Sequence, residues 1–168
     1  MNGITVKLRR YKYTIQQWLM TPWHRYIMGR RIVHYIHVGK TGGTSVKVAL
    51  LSFGRKTKTH YFCLHGHGFR LKDVPKNDIA IITKRNEFDR TRSVLTKQRM
   101  IEQYPLWKRL LVGRGDHRIQ GWYWMEPIRC AYYVLDTDQL TDQFEILKQA
   151  LGIPAWVKCG HANKSPKA

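Results

Sequence analysis

The most constraining stretch of this chain is a β-branched, aromatic run that ends on glycine. Ile32-Val33-His34-Tyr35-Ile36-His37-Val38 has the composition of a strand, and Gly39-Lys40-Thr41-Gly42-Gly43-Thr44-Ser45 follows directly. Val46 to Leu51 then reads as a helix. A strand, a glycine-rich turn and a helix bring backbone N–H groups and a helix N-terminus together, which suits an anion. Lys40 adds a full positive charge, and Thr41, Thr44 and Ser45 add hydroxyl donors. The alternative is a turn that only joins a strand to a helix.

The rest of the chain repeats the alternation. Tyr61 to Leu64 is a short strand candidate, followed by His65-Gly66-His67-Gly68. Ile79 to Thr83 is an apolar run of the kind buried on both faces of a sheet. It leads through Lys84-Arg85-Asn86 into a helix from Phe88 to Gln103, which Tyr104-Pro105 ends. Residues 106 to 129 read as irregular. Ala131 to Leu135 is a strand, and Thr141 to Leu151 a helix closed by Gly152 and Pro154. The tail from Trp156 reads as loop. Strands alternating with helices predict an α/β layer fold with a mostly parallel sheet. Ligands in such folds lie beyond the carboxyl ends of the strands, where the glycine turn, the His-Gly-His pair and the Lys-Arg-Asn run all fall.

Charge narrows the partner. The chain has 168 residues, 30 Lys and Arg against 11 Asp and Glu, and a formal net charge of +19. The first 72 residues hold 14 of those cations and no carboxylate. An external anion is therefore expected to neutralise this half. Residues 1–31 form a basic, aromatic leader in which Trp18, Leu19, Trp23, Tyr26 and Ile27 fall near helical spacing, interrupted by Thr21-Pro22, which would suit a helix start. The leader either packs on the domain or serves as a peripheral membrane or protein contact. No apolar run approaches the roughly 18 residues of a membrane span. With no signal-like apolar segment and with Cys63, Cys130 and Cys159 widely spaced, the expectation is a cytoplasmic, reducing location without a disulfide framework or zinc site.

The phosphate chemistry can be restricted further. A nucleotide kinase or NTPase loop reads G-x-x-x-x-G-K-[ST], and the required first glycine is here His34. Magnesium-dependent enzymes also place an Asp at the end of a neighbouring strand, whereas Ile79–Thr83 runs into Lys84 and Arg85. With carboxylates so scarce, the expectation is a phosphate site made of protein cations alone, with no metal. Arg85 leaves a strand and Ser93 lies about two turns down the next helix, so a guanidinium fork and a hydroxyl can converge on a second phosphate.

These residues resemble the sulfotransferases that use 3′-phosphoadenosine 5′-phosphosulfate, especially the carbohydrate type. Ile36 to Ser45 is similar to their 5′-phosphosulfate loop, P-K-[TA]-[GA]-[GST]-[TS]-[ST], with Gly39 in place of the proline. Arg85 to Ser93 is similar to R-[DN]-P-x-x-R-x-x-S, which holds the 3′-phosphate, with Glu87 in place of the proline. His65-Gly66-His67-Gly68 resembles the H-G-H segment of the uronyl 2-O-sulfotransferase branch. Leu135 to Gly152 and His161-Ala162-Asn163-Lys164-Ser165 resemble the closing strand, helix and H-x-N-x-S loop.

The resemblance implies a P-loop-like three-layer α/β fold with a central, mostly parallel sheet flanked by helices, and one catalytic domain over 32–168. It implies sulfuryl transfer to an acceptor hydroxyl, of which carbohydrate is the expected class. Gly39, Lys40, Thr41, Gly42, Gly43, Thr44, Ser45, Arg85, Ser93 and Lys164 would hold the cofactor. Lys40 would stabilise the departing phosphate, His67 would be the general base, and His65 would position the acceptor or His67. His34 and His37 are expected to pack, His161 to order the loop over the cofactor, and Glu87 to form a salt bridge. Trp107, Trp122, Tyr123 and Trp124 could stack on an acceptor or fill core space. Lys108, Arg109, Arg114, Arg118 and Arg129 could contact an anionic acceptor or lie solvated. Two alternatives stay open: a sulfotransferase-like domain that binds the nucleotide without turnover, and a basic nucleic-acid-binding module, for which the sequence shows no recognisable motif.

Overall fold

The computed structural model describes residues 19–66, 69–105, 120–124 and 126–160. Its centre is a four-stranded, all-parallel sheet: β1 (Arg31–Ile36), β2 (His60–His65), β3 (Ile79–Lys84) and β4 (Ala131–Asp136), in the spatial order β2-β1-β3-β4. Val33 of β1 lies opposite Phe62 of β2 and Ile79 of β3. Five of the six β1 residues are buried, as a near-continuous β-branched and aromatic run requires when both faces are covered. With helices α1 (Gly43–Gly54), α2 (Glu87–Glu102) and α3 (Leu140–Leu151), the architecture is α/β.

Alternation along β1 divides the core. Val33 and Tyr35 face α1 and α3, where Val46, Ala49, Leu50 and Phe53 meet Leu140, Phe144, Leu147 and Leu151. Those spacings follow one face of each helix, and each fully buried Leu or Phe contributes about 1.5–3 kcal/mol. Ile36 and Val38 face the other way, toward Leu71, Val74, Tyr123 and Cys130. Short turns supply this cluster, and the helical residues 19–27 cover the β2 side of the same face, with Thr21 at Cys63, His24 stacked on Tyr61 and Arg25 on Asp78. α2 is the most polar helix and keeps Phe88, Leu95 and Met100 exposed. Thus helices α1 and α3 flank one face, and among the described residues the other face is covered by turns and by helical residues 19–27. No helix among the described residues is long and apolar enough to cross a membrane.

Several boundaries differ from the sequence expectation, each for a local reason. α1 starts at Gly43, three residues early, because Gly42 takes a left-handed conformation (φ 66°) as its N-cap. β2 includes His60 and His65, so His65 ends a strand and does not belong to the following loop. The leader is already helical at Leu19, and a π-helical turn follows at Trp23–Ile27, so Thr21-Pro22 does not begin the helix. α2 begins at Glu87, capped by the Asn86 side chain, which accepts from the Phe88 N–H at 2.9 Å. A short 3₁₀ turn, Thr137–Gln139, precedes α3. Within the stretch read as irregular, Gln120–Trp124 is also a 3₁₀ turn.

Candidate functional site

β1 pairs with β2 on one side and β3 on the other. The crossover direction therefore reverses between β1 and β3, which in an open parallel sheet opens a crevice at the carboxyl ends. The glycine turn leaves β1 at that point, and Arg85 leaves β3 beside it.

The turn has a specific backbone. Lys40 and Gly42 both have φ 66°, while Gly39 and Thr41 are not among the positive-φ residues. Left-handed residues alternating with others in this way can turn successive N–H groups toward one side, as an anion nest requires, ahead of the α1 N-terminus. Lys40 holds a left-handed conformation that costs a non-glycine residue about 1–2 kcal/mol. Such strain persists only where surrounding contacts enforce it.

Neighbouring groups supply such contacts around the turn. Arg90 of α2 is 3% exposed and donates through Nε to the Gly39 carbonyl at 3.1 Å, while its Nη1 meets Glu87 at 3.0 Å. Thr41 is fully buried; its hydroxyl bonds to the Val38 carbonyl at 2.9 Å and to the Thr83 hydroxyl at 2.6 Å. Tyr35 donates to the Gly43 carbonyl at 3.0 Å, and burial pushes its phenol pKa upward, so it stays protonated. On the far side, the Thr137 hydroxyl donates to the Lys84 carbonyl at 2.8 Å, and its methyl lies 3.4 Å from where a Gly42 Cβ would be.

This changes the reading of three expected ligands. The Thr41 hydroxyl faces the interior, so Thr41 can reach an anion only through its backbone. Gly43 is needed for packing: a Cβ there would stand 2.5 Å from His37 Nδ1 and 2.6 Å from the Tyr35 hydroxyl. Gly42 is needed for its backbone conformation. Thr44 is exposed and Ser45 is buried at the first turn of α1. Arg85 is half-buried immediately after β3, and Ser93 is half-buried on the second turn of α2. Lys84 is paired with Asp136 at 3.3 Å, and Glu87 forms the expected salt bridge, with Arg90.

The histidines hold the main departure. His34 does not merely pack. Its Nε2 lies 2.9 Å from Asp78 Oδ2 and its Nδ1 lies 2.7 Å from His65 Nε2. Arg25 also donates to the Asp78 carboxylate. His65 stacks on Phe69 with ring centroids 3.6 Å apart. His37 lies edge-on to Tyr35. The expected base His67, together with Lys164 and His161, lies outside the described residues, as do residues 1–18, Trp107, Lys108, Arg109, Arg114 and Arg118. Tyr123 is fully buried and fills core, Trp122 and Trp124 pack against the same cluster, and Arg129 is exposed.

Compared with known proteins, the chain matches no family model, no curated protein and no solved structure. The residues that sequence reasoning missed are Arg90, Thr83, Tyr35, His34 and Asp78. One signal for Asp78 was present: before Glu87 the chain has only two carboxylates, Asp73 and Asp78. A carboxylate that rare, directly ahead of a buried strand, had to be neutralised by something.

Proposed function

We propose that this chain transfers a sulfuryl group from 3′-phosphoadenosine 5′-phosphosulfate to an acceptor hydroxyl, within a P-loop-like α/β domain. The observation that carries the reading is the alternating Gly39–Gly42 turn at the β1/β3 switch point, anchored from behind by Arg90 and Thr83. Its backbone N–H groups and Lys40 suit the 5′-phosphosulfate, and Arg85 with Ser93 suits the 3′-phosphate. Lys164 would close over the nucleotide.

In the reaction the acceptor oxygen attacks sulfur in line with the bridging oxygen. A new O–S bond forms as the sulfur–bridging oxygen bond breaks, and the electron pair leaves on the 5′-phosphate. Lys40 neutralises that charge as it develops, an interaction stronger in the transition state than in the ground state. A histidine of the His65–His67 segment takes the hydroxyl proton. Carbohydrate is the acceptor class we favour.

Thermal shift measurements test the nucleotide part. Adenosine 3′,5′-bisphosphate should raise Tm in the presence of EDTA, and ATP or short DNA should do so less. Sulfuryl transfer from the labelled donor to a panel of sugars then tests turnover. Stabilisation by DNA above that by the bisphosphate would replace this reading with the nucleic-acid module, and binding without transfer to any acceptor would replace it with a nucleotide-binding domain.

A further inference from the structure

We propose that Asp78 and His34 form a buried relay that fixes His65 in its Nε2–H tautomer and leaves His65 Nδ1 as the proton acceptor of the site. The tautomers follow from donor and acceptor bookkeeping. Asp78, immediately before β3, is 3% exposed and paired with Arg25, so it accepts only. His34, 5% exposed, must then present Nε2–H to it across 2.9 Å. A neutral imidazole that donates from Nε2 accepts at Nδ1. The 2.7 Å contact from that Nδ1 to His65 Nε2 therefore requires His65 to carry its hydrogen on Nε2. What remains on His65 is the Nδ1 lone pair.

Position suits the role. His65 is the last residue of β2, at the same carboxyl edge as the glycine turn, and lies opposite Ile36 of β1. Phe69 covers one face of its ring, and the ring planes of His34 and His65 are within 5° of parallel. Nδ1 has no hydrogen-bond partner among the described residues and is not among their buried unpartnered atoms. The charged groups around the relay are Arg25 and Asp78 at its inner end and Asp73, held by Arg70, toward its outer end. Cys63, on the same face, is held as a neutral thiol by burial. Burial and the facing His34 ring push the His65 pKa down to about 3, against a smaller opposing effect of Asp73. The ring is thus neutral, but it is a poor final home for a proton. The relay resolves this. As the hydroxyl proton arrives on His65 Nδ1, the Nε2 proton passes to His34 Nδ1, and the cation rests beside the Asp78 carboxylate. One proton enters, one moves inward, and no further reagent is needed.

The relay itself stands without the transfer reading, whereas the use of Nδ1 as a base rests on it. The experiment is long-range ¹H–¹⁵N correlation on the full, histidine-labelled chain at pH 7, paired with turnover. The wild type should show His34 and His65 neutral with hydrogen on Nε2. In Asp78→Asn, Arg25 holds the amide oxygen and the NH₂ group faces His34 Nε2. Both tautomers then invert, Nδ1 of His65 is blocked, and turnover falls at least about a hundredfold with bisphosphate affinity unchanged. A wild-type His65 that is cationic or carries hydrogen on Nδ1 overturns the proposal without any variant having to fold. Full turnover in Asp78→Asn overturns the base role. The expected tautomers with no sulfuryl transfer to any acceptor keep the relay and overturn both the transfer reading and the base role.

Discussion

Lys40 sits in a conformation that glycine would adopt more easily, and it does so in the turn proposed to meet the departing phosphate. Lys40→Gly should relieve about 1 kcal/mol of strain, which for a chain of this size raises Tm by about 2–4 °C. Turnover should fall nonetheless, because the leaving-group charge is gone. Lys40→Ala should lose turnover far more than nucleotide affinity, without the gain in Tm. Scanning calorimetry and steady-state kinetics on the pair separate strain from charge, and a Lys40→Gly variant that keeps full activity would remove the lysine from the mechanism. Gly43 behaves oppositely. Gly43→Ala forces a methyl against His37 and Tyr35 and should destabilise by about 1–3 kcal/mol in denaturant titration.

At the scale of elements, α2 is fastened to the turn by Arg90. Arg90→Met keeps the length of the side chain but leaves the buried Gly39 carbonyl without that donor, costing about 1–3 kcal/mol of stability. If the bond also holds the nest in shape, bisphosphate affinity should fall in the same variant, as read by titration calorimetry. Unchanged affinity would reduce Arg90 to a structural anchor. The strands and helices were legible because each is coded by its own run: β-branched residues in β1 and β3, and apolar residues at helical spacing in α1 and α3. The fastenings were not. Arg90 and Gly39 are 51 residues apart, and His34 and Asp78 are 44 apart. No local pattern announces such a pair, so His34 read as packing, and Arg90, the second arginine of the R-[DN]-P-x-x-R-x-x-S pattern, was assigned no role. Thr41 was misread for the same reason: a hydroxyl in a glycine turn suggests a ligand until its partner on β3 is known. The second layer of the fold was hidden because short turns bury Leu71 and Tyr123 without periodicity.

For the whole molecule, the strand order places the glycine turn, Arg85 and His65 at one edge of the sheet, in a chain of net charge +19. Three wholly or partly buried histidines also couple the fold to pH. Burial lowers the pKa values of His24, His60 and His65 below 6.5, with help from Arg30, Arg31 and His34 respectively. The unfolded chain therefore binds protons that the folded chain refuses as pH falls from 6.5 toward about 3. Their contribution to stability is complete above pH 6.5 and lost on acidification. Tm should accordingly begin to drop between pH 6.5 and 5, before carboxylates titrate, and a Tm flat over that range would contradict this coupling.

In the proposed function the Gly39–Ser45 turn and the Arg85–Ser93 segment grip two phosphates of one nucleotide. Titration calorimetry in EDTA, comparing adenosine 3′,5′-bisphosphate with adenosine 5′-monophosphate, tests it most directly. Losing the 3′-phosphate removes a charge-assisted pair of about 1.5–3 kcal/mol, so the monophosphate should bind about ten- to a hundredfold more weakly. Arg85→Ala should erase that difference. Equal binding of the two nucleotides by the wild-type chain would contradict the account.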